Sequence, residues 1–147
     1  MYKRILVPLE HSEYDDAIIS HVRELALFCR ASVVFIHVAD GWAARNQQQL
    51  VLSESDEMKK DRAYIEAEAD GLEASGLDVE CILAGGDPAT EIASAVIREN
   101  CDLVAMSTHG HKGVQDLIRG SVANEVRHRV TVPVLMVRGV PRRLRQV

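Results

Sequence analysis

The chain has 147 residues, a net charge of −5, 47 % hydrophobic residues and 27 % charged residues. That is the make-up of one globular domain, long enough to bury a core without staples. No apolar run approaches the roughly 18 residues that span a bilayer, and no leader pattern opens the chain, so a cytoplasmic address is expected. Three cysteines, Cys29, Cys81 and Cys101, lie far apart beside apolar residues and read as small reduced hydrophobes, not as a disulfide or a metal set. Charge is uneven: from His111 onward eight Lys/Arg face two acids, giving +6, while residues 1–110 carry −11. An acidic chain with a locally basic end argues against nonspecific nucleic-acid binding and suits a small anion held locally.

In chain order, Tyr2–Leu9 (YKRILVPL) is a short aliphatic run closed by proline, which predicts a buried strand. Ser12 is a good N-cap, with Glu13, Asp15 and Asp16 in the first helical turn, where the dipole favours acids. Ile18, Val22, Leu25 and Cys29 then form one apolar stripe. Ser32–Val38 is a second buried strand, and His37 near its end is expected to pack or cap there. Asp40 to Leu52 has no clear period. From about Ser53 the pattern is helical, with Met58, Ile65, Ala69 and Leu72 on one face and Gly76 as a stop. Asp78–Ala84 is strand three. Asp87 as N-cap and Pro88 at the first helical position open a helix whose inward face is Ala89, Ile92, Ala93 and Val96. CDLVAMST is strand four, a helix runs from about Ser121 to Arg129, and Val132–Arg138 is strand five, followed by the basic residues 139–147.

Strands that alternate with helices and read as near-continuous apolar runs require a parallel sheet covered on both faces. The expected architecture is α/β, a doubly wound five-stranded parallel sheet in the flavodoxin-like (Rossmann-like) order 3-2-1-4-5. Strands one and four are then neighbours at the switch point, and ligands in such sheets bind beyond the carboxyl ends there. Strand four runs directly into MSTHGHKGVQDLIRGS, Met106 to Ser121. Gly110, Gly113 and Gly120 free the backbone to turn tightly and present N–H groups, and Gly120-Ser121 lies at a helix entry, where orphan N–H groups and the macrodipole attract anions. Lys112, Arg119, His109 and His111 add charge or donors. The histidine spacing is not that of a helical metal pair, and no Walker A pattern occurs.

THG, nine residues and then GSV resemble the signature G-x-x-G-x9-G-[ST] of the universal stress protein family. KRILVPL, HV, GDPATEI and VPVLMVR agree, so the resemblance covers residues 2 to 138. It implies an adenine nucleotide, ATP or AMP, bound between the ends of strands one, two and four. Pro8, Leu9, Glu10 and Val38 would surround base and ribose, Met106 and Ser107 would line the floor, and Gly110, Gly120, Ser121, Val122 and Ala123 would surround the phosphates. It also implies a homodimer through the last strand, residues 133–138, acting with a regulatory protein partner. Ser107 replaces the signature's first glycine, and Glu10 replaces the family's aspartate near the end of strand one. Glu10, Glu13, Asp15 and Asp16 make the first helix a poor seat for phosphate, so phosphates are expected on the Gly120-Ser121 side, with Mg²⁺ shared toward Glu10. No residue stands out as a general base. A nucleotide-binding regulator is therefore expected in place of an efficient enzyme, with slow ATP turnover left open. The competing reading is a nucleotide-independent dimeric interaction module. A flavin carrier fits poorly with 4 % aromatic residues.

Overall fold

The computed structural model describes residues 1–39, 56–108 and 122–140. The aperiodic stretch after strand two, most of the glycine-rich loop and the last seven residues lie outside the described residues. The order is β1 (Arg4–Pro8), α1 (Asp15–Cys29), β2 (Ser32–Ala39), α2 (Asp56–Glu73), β3 (Val79–Gly85), α3 (Pro88–Arg98), β4 (Leu103–Thr108), α4 (residues 122–129) and β5 (Val134–Arg138). The strands are parallel in the order β3-β2-β1-β4-β5, as expected from the alternation of apolar runs with helices.

Side chains of a strand point alternately to opposite faces, and two cores result. Ile5, Val7, Val33, Phe35, Leu103 and Ala105 pack against α1 and α2. Leu6, Val34, Ile36, Val104 and Met106 pack against α3 and the Ala123–Val126 side of α4. All of Ile5, Leu6, Val7 and the Val33–Ile36 run are fully buried, which is why strands one and two read as unbroken apolar runs.

Helices α2 and α3 follow their sequence signals with one adjustment each. Asp87 caps α3 by accepting the Thr90 N–H at 3.0 Å, with Pro88 in the first turn. Inside α3 it is Ala95 that is fully buried, whereas Ala93 is half-buried, because the inward face is centred on Ile92, Ala95 and Val96. In α2 the buried stripe is Asp61, Ile65, Ala69 and Leu72, so a carboxylate occupies a core-facing position. Gly76, at φ 95°, ends the turn that follows. The three cysteines are free thiols, and burial pushes those of Cys81 and Cys101 up to about 11, which suits packing and not reactivity.

Candidate functional site

A cavity of about 500 Å³ opens at the carboxyl ends of β1, β2 and β4. Pro88 and Ile92 of α3 and Glu57 and Asp61 of α2 flank it. Seven of the residues singled out from sequence meet there: Pro8, Leu9, Glu10, Val38, Met106, Ser107 and Val122. Ala123 is 4 % exposed and belongs to the core on the α3 side instead of the cavity wall. His109, Gly110, Gly120 and Ser121 lie outside the described residues. The walls are apolar (Leu9, Ile36, Val38, Ile92 and Met106), while Glu10, Glu57 and Asp61 bring carboxylates to the rim. Among the described residues lining it there is no lysine or arginine.

The rim between β1 and α1 is organised by Asp15, which the sequence places in the first helical turn. Asp15 is fully buried. Its carboxylate accepts the backbone N–H groups of Glu10 at 3.0 Å, His11 at 2.8 Å and Ser12 at 3.2 Å, and the Tyr64 hydroxyl at 2.7 Å. One buried carboxylate thus satisfies three backbone donors of this partly exposed turn. Ser12 is therefore not the N-cap: Tyr14 holds that position without a side-chain bond, while the Ser12 hydroxyl accepts the Tyr14 N–H at 3.3 Å. The turn also holds His11 at φ 65°, left-handed backbone that a non-glycine residue keeps only when its surroundings demand it.

Two histidines and an aspartate converge on the same rim. His11 Nδ1 lies 2.7 Å from Asp61 Oδ1, and His37 Nε2 lies 3.3 Å from Asp61 Oδ2. His37 Nδ1 donates to the Leu9 carbonyl at 2.8 Å, tying the end of β2 to that of β1, so the expectation that His37 caps a strand end holds. The His11 ring stacks on Tyr64 with centroids 4.1 Å apart at 17°. Sequence reading missed Asp61. Its position four residues before Ile65, in the stripe of Ile65, Ala69 and Leu72, was the available signal.

Burial, helped by the hydrogen bond to Asp15 and its negative charge, drives the Tyr64 phenol far above the ordinary tyrosine range. A group whose folded value is raised stabilises the fold fully below its unfolded value and loses that contribution as pH climbs. Stability should therefore fall above about pH 10, where the unfolded phenol ionises and the folded one does not. In an alkaline titration followed by tyrosinate absorbance, one of the three tyrosines is expected to ionise only together with unfolding. Ionisation of all three before any loss of circular dichroism would contradict this.

Ser107 has a defined partner. Its hydroxyl donates to the Tyr14 carbonyl at 3.2 Å, linking the end of β4 to the start of α1. Gly139, just beyond β5, closes the same seam: its N–H donates to the Thr108 carbonyl at 2.6 Å. A Cβ on Gly139 would lie 2.8 Å from Ser107 Oγ and 2.9 Å from Tyr14 Cβ and Cδ1. Gly139→Ala is therefore expected to cost about 1–3 kcal/mol in denaturant unfolding, the usual scale of overpacking. Adding Ser107→Gly should restore only part of it, because the Tyr14 contacts persist. Full recovery in the double variant would show that Ser107 alone makes the seam tight.

An α/β doubly wound domain with an apolar cavity at the junction of β1 and β4 is a ligand-binding architecture of the switch-point type. Comparison makes the class specific. The model of the Universal stress protein family matches residues 1–138, and the chain belongs to that family. Universal stress protein MJ0577 of Methanocaldococcus jannaschii is 28 % identical, with 94 % of this chain and 96 % of that protein covered. The solved structure of MJ0577 superposes with a TM-score of 0.75 at 27 % identity, covering 95 % of this chain and 98 % of that one. A universal stress protein in complex with cAMP has a TM-score of 0.69 at 18 % identity, over 92 % of this chain and 96 % of that chain. One from Archaeoglobus fulgidus in complex with dAMP has the same TM-score at 15 % identity, over 92 % and 97 %. At these last identities the likeness shows the fold.

Proposed function

We propose that the cavity binds an adenine nucleotide, ATP or AMP, and that the chain acts in the cytoplasm as a nucleotide-dependent regulatory homodimer. The observation that carries this is the cavity itself: about 500 Å³, apolar where a flat base would lie and polar at its rim, at the junction of β1 and β4. The relatives crystallised with cAMP and dAMP share the fold and support adenine as the base. The carboxylate-rich rim at Glu10, Glu57 and Asp61 disfavours phosphate, which supports seating the phosphates away from it, at Gly110, Gly120, Ser121 and Val122. Ser107 at the cavity wall and, from the family signature, His109 complete the proposed nucleotide-binding set.

Mg²⁺ fits this arrangement as an ion held mainly by phosphates and water, with Glu10 as its protein carboxylate. Among the described residues no group of three or more His, Cys, Asp and Glu has the geometry of a metal site, so an all-protein cage is not proposed. Dimerisation is placed on β5. It is an edge strand whose one described sheet neighbour is β4, and its Met136 is 40 % exposed. Regulation then operates through differential affinity: a nucleotide that prefers one loop arrangement shifts the population presented to a protein partner.

The test is to denature purified native protein, identify any released small molecule, and titrate ATP and AMP with and without Mg²⁺. Saturable binding that Gly120→Ala or Gly110→Ala weakens is the expected result. No binding to the intact dimer would instead support a nucleotide-independent interaction module.

A further inference from the structure

We infer that His11 Nε2 is a ligand-reading acceptor in the cavity wall, matched to a sugar hydroxyl, with Asp61 and Tyr64 as its positioning residues. This rests on the nucleotide reading and adds to it a residue and a specificity. A carboxylate only accepts hydrogen bonds, so Asp61 Oδ1 at 2.7 Å puts the proton of the neutral His11 ring on Nδ1. The lone pair is then left on Nε2, for which the described residues supply no partner, and His11 lines the cavity. Asp61 is itself confined: its side chain is 10 % exposed, and its Oδ1 accepts from His11 Nδ1 while Oδ2 lies 3.3 Å from His37 Nε2.

The ring plane is as constrained as the tautomer. Tyr64 stacks on His11 at 4.1 Å and is held by its hydroxyl on Asp15, which also binds the His11 N–H. A left-handed φ of 65°, a carboxylate acceptor on Nδ1 and a stacked phenol fix one exposed side chain in one orientation. Such pre-organisation lowers the ordering cost of binding. The chemistry around Nε2 selects the ligand group. Glu10, adjacent in sequence, and Asp61 are acceptors, and the described lining residues include no lysine or arginine, so this end of the cavity calls for donors. A ribose carries two neighbouring O–H donors, whereas an exocyclic amine presents its donors from one atom and a phosphate presents acceptors.

Two measurements test the assignment. In nitrogen–proton correlation spectra of the free protein, the neutral His11 ring should be the Nδ1–H tautomer, and Asp61→Asn should shift that balance. Calorimetric titration of AMP, 2′-deoxy-AMP and 3′-deoxy-AMP should show one deoxy form about tenfold weaker, the scale of one lost hydrogen bond. In His11→Asn, which tolerates left-handed backbone, the AMP to deoxy-AMP ratio for that hydroxyl should fall to about one. Asp61→Asn should lower the same ratio. An Nε2–H tautomer in the wild type, or AMP binding with the ratio preserved in His11→Asn, would overturn the assignment. Absence of AMP binding to the wild type would overturn the nucleotide reading and the assignment with it, even if the tautomer is as inferred.

Discussion

Asp15→Ala is expected to be the most destabilising single change at the rim, lowering the unfolding free energy by about 3–5 kcal/mol. It removes the acceptor for three backbone N–H groups and the Tyr64 hydroxyl at a fully buried position. Each orphaned buried donor costs about 1–3 kcal/mol, and those nearest the cavity regain part of that from water. In a domain of this size the loss corresponds to a fall in Tm of about 10 °C or more. Asp15→Asn keeps one acceptor oxygen and should lie between the two. Thermal or denaturant unfolding of both variants checks the order. Wild-type stability in Asp15→Ala would mean that water, and not the carboxylate, satisfies the turn.

The second large effect concerns binding. Val38 is half-buried at the end of β2 and faces the cavity beside Ile36 and Met106. Val38→Trp places an indole where the base is proposed to lie. Adenine-nucleotide affinity should drop about 100-fold or more, equivalent to roughly 2.7 kcal/mol or more. The fold should lose only about 1–2 kcal/mol, because the new ring enters existing space. Titration calorimetry alongside denaturant unfolding separates the two quantities. Unchanged affinity with an intact fold would remove the base from this end of the sheet.

The sheet was legible because burial on both faces leaves a mark in the chain. Ile5–Val7 and Val33–Ile36 are apolar at every position, and only a central parallel strand needs that. From the order of elements, the switch point and hence the cavity followed. The rim was less legible, since its contacts join distant segments. Asp61 lies 50 residues from His11, and Tyr64 lies 49 from Asp15. No local period encodes such pairs. Asp15 resembled an ordinary first-turn acid, because helix-dipole and turn-satisfying roles use the same residue type at the same place. Ser107 could be marked as a departure from the family signature, but its hydroxyl bond to Tyr14 depended on a carbonyl 93 positions away.

The central claim is that an adenine nucleotide occupies the cavity at the ends of β1, β2 and β4. Backbone and methyl chemical shifts recorded while AMP is added to the full chain test it most directly. The account predicts saturable shifts concentrated on Leu9, His11, Val38, Met106, Ser107 and Val122. It is contradicted if AMP moves none of these resonances, or if the shifts gather instead at the N-terminal ends of the strands around Arg4 and Asp102.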